Sequence, residues 1–172
     1  MARSWDVPGL RGRAGFRDAA GRVILTRWRE MMSYRDGTLL GEDIEELHAM
    51  RVSSRRLRAA MDAFASAFPA KSFRPLLGQV KEITDVLGAA RDLDVAVERL
   101  TATLATMGED EQPGLEGLIA RYRQDRAAEA PHIAGLFARI DHDRFEKRLV
   151  KYIEKHTGVD MKRLDPRPPE AG

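Results

Sequence analysis

The sequence predicts an all-α protein, and three observations lead to this prediction. Apolar residues recur at intervals of three and four over most of the 172 residues, which is the spacing of one face of an α-helix. The alternation of apolar and polar residues that marks a half-buried strand is absent from the sequence. Charged residues make up 33% and aromatic residues only 6%, which is typical of helices with long charged faces. We therefore expect an antiparallel bundle of four to five helices.

The first two predicted helices are separated by a turn. Residues 1–15 carry glycines and arginines without periodicity, and we expect them to form a flexible basic arm. Helix one should cover residues 17–35, because Arg35-Asp36-Gly37 supplies a stop signal. Helix two should begin at Gly41-Glu42-Asp43, since carboxylates favour the positive end of a helix, and should end at Phe68-Pro69.

Three more helices are predicted after this point. The third leads from Pro69 and Pro75 to Met107-Gly108, and its apolar residues share one stripe. The fourth contains Pro131, which should kink it or split it in two. The last runs from Phe145 to His156 and stops at Gly158.

Length and composition bound the class of protein. We expect one domain over residues 16–157, followed by a proline-rich tail over residues 158–172. The sequence has no cysteine, which excludes disulfides and cysteine-based zinc sites and fits a reducing cytoplasm. No stretch approaches the roughly 20 apolar residues that span a bilayer, and the N-terminal segment lacks the apolar run of a secretory signal.

The net charge is only +2, so the clustering of charges matters more than their sum. At about 100° per residue, His48, Arg51, Arg55 and Arg58 share one stripe of helix two. Apolar residues occupy a second stripe, centred about 120° away, and predict the buried face of this helix: Leu47, Met50, Leu57, Met61, Phe64 and Phe68.

Arginines stacked at these spacings repel one another and need a compensating anion. That anion is either internal, from Glu45, Glu46, Asp62 and the acids of neighbouring helices, or an external ligand. Arginine grips phosphate oxygens through two parallel hydrogen bonds and keeps its proton, so a row of arginines suits a phosphate polymer. The histidine adds a donor whose charge responds to pH.

Two motifs carry a family resemblance. The segment ELHAMRVSSRRLR, from Glu46 to Arg58, resembles the histidine-containing signature helix of the CHAD family. The segment LGAARDLDV, from Leu87 to Val95, is similar to a second CHAD motif, and Lys81 occupies the place of a basic residue one or two helical turns before it. The resemblance covers roughly residues 20–150.

The resemblance implies a helical bundle whose basic cavity binds inorganic polyphosphate, without a cofactor. The implied binding residues are His48, Arg51, Arg55, Arg58, Lys81 and Arg91, with Arg56, Arg121 and Arg126 as weaker candidates. Arg56 lies about 100° from Arg55 and could instead form a salt bridge, and so could Arg91 beside Asp92. Gly88 within a helix suggests close approach by another helix or by a ligand. Arg139 joins Arg121 and Arg126 as a possible far wall of the cavity, although a solvated charged face is the alternative for each.

CHAD proteins typically contain two related four-helix halves, whereas this sequence shows one His- and Arg-bearing helix. We therefore expect one half of the two-bundle arrangement, completed by a second chain in a homodimer. Association with polyphosphate granules in the cytoplasm would follow.

The sequence is also compatible with other function classes. A phosphate-processing enzyme would need a phosphate loop or clustered metal ligands, and the one candidate set, Asp141-His142-Asp143, also fits a polar turn. We therefore expect neither a catalytic nor a metal site. Low aromatic content and near-neutral charge disfavour a nucleic-acid partner. An adaptor that meets an acidic protein is a further alternative.

Overall fold

The computed structural model describes residues 4–10, 14–108 and 110–164. Over these residues the chain forms helices and no β-strand, which confirms the all-α prediction. Five principal helices and one short helix follow one another in this part of the chain: α1 (Phe16–Met32), α2 (Arg35–Leu40), α3 (Ile44–Ala63), α4 (Ala70–Leu104), α5 (Gln112–His142) and α6 (Phe145–Thr157). A 3-10 turn over Ala65–Ala67 links α3 to α4.

The principal helices form an antiparallel bundle. α1 packs on α3, α3 packs on α4, and α4 packs on α5. α6 then packs against α1 and α5. α1 therefore contacts both α3 and α6.

The core lies where the five principal helices meet. Trp28 of α1 is fully buried and meets the ring of Phe145 edge-on, with ring centroids 5.3 Å apart. The four large apolar side chains that α3 buries are called here the core face of α3, and none is more than 2% exposed: Leu47, Met50, Leu57 and Met61. Each such side chain contributes about 2 kcal/mol when it is removed from water. Five of the six predicted apolar residues are thus buried, and the sixth, Phe64, is half-buried against the core. The predicted end of this helix at Phe68-Pro69 is wrong, because α3 ends at Ala63 and Phe68 packs on the core from the turn that follows.

The expectation that Arg35-Asp36-Gly37 only terminates a helix is wrong. α1 ends at Met32, and these three residues open the short helix α2. Gly37 is needed here because α2 lies directly against α3, where a Cβ at this position would approach Glu46 Cγ to 2.5 Å. The true stop is Gly41, whose φ of 70° favours glycine.

Pro131 does not split the fourth helix, so that alternative is wrong. α5 continues without interruption from Gln112 to His142. The half of α5 that follows the proline is held against the core by buried apolar side chains: Ile133, Leu136, Phe137 and Ile140. Their burial offsets the hydrogen bond that proline cannot donate.

Chain segments outside the helices also pack on the bundle. The carbonyl of Trp5 accepts a hydrogen bond from Arg27 at 2.8 Å. After α6, Val159, Met161 and Leu164 are buried, and Arg29 donates to the carbonyl of Leu164 at 3.1 Å. The remaining residues of the expected arm and tail, 1–3, 11–13 and 165–172, lie outside the described residues.

A buried carboxylate ties α1 to α3. The side chain of Glu30 is fully buried, and its Oε1 accepts a hydrogen bond from Arg56 Nη1 at 2.8 Å and lies 3.5 Å from Ser53 Oγ. Arg27 donates to the second carboxylate oxygen. Because the Glu30 carboxylate is removed from water, its charge depends on the two arginines for compensation.

Glu30→Gln should therefore lower the free energy of unfolding by about 3 kcal/mol, because it leaves two arginines without their buried counterion. Urea unfolding followed by circular dichroism measures this loss. Glu82→Gln is the matched control: Glu82 pairs with Arg139 at 2.7 Å, but both side chains are more than half exposed. The control should cost less than about 1 kcal/mol. Equal losses in the two variants would contradict the role assigned to Glu30.

Candidate functional site

The basic residues of α3 take their positions from the way the helix begins and from the face that it buries. The helix begins at Ile44, where Asp43 Oδ1 accepts a hydrogen bond from the N–H of Glu45 at 2.8 Å. Docking of the core face then turns the opposite stripe of the helix towards the surface beside α4. We call Arg51, Arg55 and Arg58 of this stripe the arginine row.

The arginine row faces a stripe of α4. Arg51 Nη2 lies 3.5 Å from Asp92 Oδ1, and Arg58 Nη1 lies 3.6 Å from Asp85 Oδ1. The surface between the row and its α4 neighbours is called here the basic groove, and it includes Lys81, Asp85, Gly88 and Asp92 of α4. Two of the predicted elements, the signature helix and the Leu87–Val95 motif, are thus brought together.

Acidic residues reach the basic groove, but their contacts are long. Asp62 lies 3.9 Å from Arg58 Nε and 3.6 Å from Lys81 Nζ. The side chains of Asp85 and Asp92 are 73% and 75% exposed. Exposed ion pairs of this kind contribute at most about 1 kcal/mol, so an incoming anion can displace them at little cost.

Arg55 lies at the centre of the row. It is exposed, and no ion pair or hydrogen bond of its side chain is found within the described part of the chain. Together with Arg58, Ala59, Asp62 and Thr84 it lines a depression of about 280 Å³. An uncompensated guanidinium is therefore presented to solvent in the middle of the groove.

Two buried nitrogen atoms at the start of the stripe lack partners. Nε of Arg51 and Nδ1 of His48 are both shielded from solvent, and neither has a hydrogen-bond partner among the described residues. A buried polar group without a partner costs about 1–3 kcal/mol. The stripe is thus not fully satisfied by the chain itself.

Two glycines of α4 leave open space beside the groove, because they have no side chain to fill it. A Cβ on Gly88 would have Arg51 Nε, at 3.9 Å, as its only neighbour within 4 Å, and one on Gly78 would have none. The expected close approach to Gly88 by another helix is therefore not found within the described structure. Glycine inside a helix costs about 1 kcal/mol relative to alanine, and packing within this chain does not require it here.

Sequence reasoning missed Arg74. It lies seven residues before Lys81, a spacing that puts both on one face of α4 at about 100° per residue. Arg74 is exposed and has no ion pair within the described part of the chain. The heptad spacing from Lys81 is the signal that could have identified it.

Other candidate residues are engaged elsewhere. Arg56 binds the buried Glu30, and Arg126 Nε bonds to Asp94 Oδ1 at 2.7 Å, which ties α5 to α4. The side chain of Arg91 is only 13% exposed, and its Nη2 lies 3.8 Å from Glu98 Oε2. Arg121 lies exposed on α5, outside the basic groove.

The possible metal-ligand set at residues 141–143 is divided between other contacts. Asp141 binds Arg35, with 2.9 Å between Nη1 and Oδ1, and this hydrogen bond holds the pKa of the carboxyl below its ordinary value. His142 Nδ1 lies 3.1 Å from Asp143 Oδ1. The described residues contain no group of three or more His, Asp or Glu side chains placed to hold a metal ion. No helix in the same residues is both long and apolar enough to cross a membrane.

Comparison with protein families identifies one match. The family model described as CHAD domain matches residues 22–171, which is most of the chain. No curated protein and no solved structure matches the chain significantly. The matched range includes the arginine row, the α4 side of the groove and every principal helix from α3 onwards. On this match the chain belongs to the CHAD domain family.

Proposed function

We propose that this protein binds inorganic polyphosphate in the basic groove and does not catalyse a reaction on it. Polyphosphate binding is a known function of CHAD domains. The observation that carries the proposal is the arginine row, whose acidic neighbours lie 3.5 Å or more away and whose central member has none in the described structure. Binding of this kind would place the protein on polyphosphate granules.

The dimensions of the row favour an extended ligand. Arg51 and Arg58 are seven residues apart, which corresponds to about 10 Å along the helix axis. Each guanidinium can bond two oxygens of one phosphate group, so the row suits successive phosphates of a chain. His48 and Arg74 lie beyond its two ends and would lengthen the track. Glycines 78 and 88 leave space for the polymer beside α4.

The acids of the groove set the strength of binding. Asp85 and Asp92 reduce the positive potential of the unoccupied groove, and their exposure lets them turn away from an incoming polyanion. Binding should then rest on phosphate contacts and weaken as salt concentration rises.

We further propose that two chains pair to complete the cavity. The resemblance to two-half CHAD proteins motivates this proposal, since the sequence holds one signature helix. An apolar patch at the junction of α2 and α3 supports it: Leu39, Leu40 and Ile44 are 41%, 70% and 46% exposed. This patch precedes His48 by one helical turn, so a partner chain seated on it would lie close to the groove.

Replacing the arginine row with Arg51→Glu, Arg55→Glu and Arg58→Glu should abolish retention on immobilised polyphosphate, because attraction along the groove becomes repulsion. Circular dichroism should show unchanged helicity. The control variant Arg17→Glu, Lys155→Glu and Arg163→Glu has the same net charge, changes exposed residues outside α3, α4 and the apolar patch, and should retain most of the binding. Equal losses in both variants would mean that net charge alone drives retention and would reject the groove.

Substitutions at Gly88 test whether the ligand needs the open surface of α4. Gly88→Ala should raise the free energy of unfolding by about 0.5–1 kcal/mol and leave binding intact, since its Cβ makes only ordinary contact with Arg51. Gly88→Leu should weaken polyphosphate binding several-fold, because its side chain fills the groove. Urea unfolding and titration calorimetry measure the two effects. Equal affinity of the two variants would contradict the proposed path.

The pairing of two chains is tested by mass in solution. The 19.3 kDa chain should behave as a dimer in analytical ultracentrifugation, and Leu40→Lys should convert it to a monomer with weaker polyphosphate binding. Leu118→Lys is the matched control, since Leu118 is equally apolar and is 41% exposed on α5. A wild-type monomer that binds polyphosphate tightly would exclude the dimer and leave the single groove as the site.

A further inference from the structure

A second cleft shares no lining residue with the basic groove. It is formed by the ends of α1 and α5, by α6, and by the segment after α6, and its volume is about 670 Å³. Pockets for small organic ligands typically have volumes of about 300–1,000 Å³. We call this surface the α1–α6 cleft.

Apolar side chains form the floor of the α1–α6 cleft: Met32, Ile140, Val150 and Met161. Ile140 and Met161 are each only 6% exposed, so the floor is continuous with the core. Among the described residues, the lining contains no aromatic ring and no Ser, Thr, Asn or Gln side chain. Such a floor suits a flexible aliphatic chain and provides neither a stacking surface nor hydrogen bonds for a nucleotide base.

Cations surround this floor. Arg144, Lys147 and Lys151 line the cleft from α6 and its N-cap, and none forms an ion pair within the described residues. Lys147 and Lys151 are four residues apart, so their charges repel each other across one helical turn. An anion held between them would remove this repulsion.

The acidic residues of the cleft are fewer than its cations. Asp141 is bound by Arg35. Glu154 Oε1 accepts a hydrogen bond from the N–H of Met161 at 2.9 Å. Glu146 and Glu154 keep their negative charges, but Arg29 and Lys162 also line the cleft, so five cations face three acids among the described residues. The lining thus keeps an excess of positive charge next to an apolar floor.

Arg144 has a backbone conformation that is unusual for its residue type. It is the one non-glycine residue with positive φ among the described residues, with φ 49° and ψ 42°. Glycine or asparagine adopts this conformation more readily than arginine. An arginine is nevertheless used at the turn that opens α6, and its side chain lines the cleft.

We propose that the α1–α6 cleft binds an aliphatic anion, an alkyl or acyl chain that carries a phosphate or carboxylate group. The chain lies on the Met32, Ile140, Val150 and Met161 floor, and Arg144, Lys147 and Lys151 hold the anionic group. Polyphosphate would gain nothing from this floor because it has no apolar part. The site is therefore independent of the basic groove.

Titration calorimetry with octyl phosphate, below its micellar concentration, tests the proposal. Affinity should exceed that of hexyl phosphate by about threefold to fourfold per methylene group, while inorganic phosphate should bind at least tenfold more weakly. Lys147→Glu with Lys151→Glu should weaken octyl phosphate binding at least tenfold. Lys155→Glu with Arg123→Glu, which has the same charge change outside the cleft, should not. The proposal would be overturned if affinity did not depend on the length of the alkyl chain, or if the two double variants lost equal affinity for octyl phosphate.

Two further experiments distinguish this site from the basic groove and identify the source of the ligand. The Arg51→Glu, Arg55→Glu and Arg58→Glu variant should bind octyl phosphate as tightly as the wild type does. This expectation holds even if neither the variant nor the wild type binds polyphosphate. Parallel loss of octyl phosphate binding in that variant would overturn the separate site. Cosedimentation with phosphatidic acid vesicles that requires Lys147 and Lys151 would identify a lipid headgroup as the source. Binding of octyl phosphate without cosedimentation with vesicles would identify a free amphiphile as the source.

Discussion

The position of α3 between α1 and α4 is the constraint on which the rest of the structure depends. Its core face removes four large side chains from water, and this burial fixes the rotation of the helix about its own axis. The buried carboxylate of Glu30 further restricts how α1 and α3 pack, because it accepts hydrogen bonds from Arg27 of α1 and from Arg56 of α3. Once the helix is fixed in this way, the arginine row has one orientation, towards α4 and solvent.

Arginines of one helix serve different purposes because their acidic partners differ in burial. Arg56 meets a carboxylate that water does not reach, so its ion pair is strong and structural. Arg51 and Arg58 meet carboxylates that are about three-quarters exposed, so these pairs are weak and exchangeable. The same distinction separates Arg126, whose partner Asp94 is buried, from the exposed Arg121. The environment of the acid therefore decides which arginines remain available to a phosphate polymer.

Local signals failed where a distant part of the chain decided the structure. Gly37 reads as a helix stop, yet it lies inside α2, which packs on α3, and the Glu46 side chain occupies the space where its Cβ would lie. Pro131 reads as a break, yet burial of the apolar residues that follow it keeps α5 continuous. The α1–α6 cleft was not foreseen, because its lining comes from four separate segments and only α6 carries a recognisable basic pattern.

The sequence by itself determined the helical class, the core face of α3, the common stripe of His48 and the arginine row, and the family to which the chain belongs. These features depend on residues within a few helical turns of one another, where the period of 3.6 residues fixes relative direction. Only the tertiary structure decided which arginines are held by buried acids, which glycines border open space, and which cations surround an apolar floor. Those properties arise from contacts between helices that are distant in sequence, and periodicity along one helix carries no information about what lies opposite.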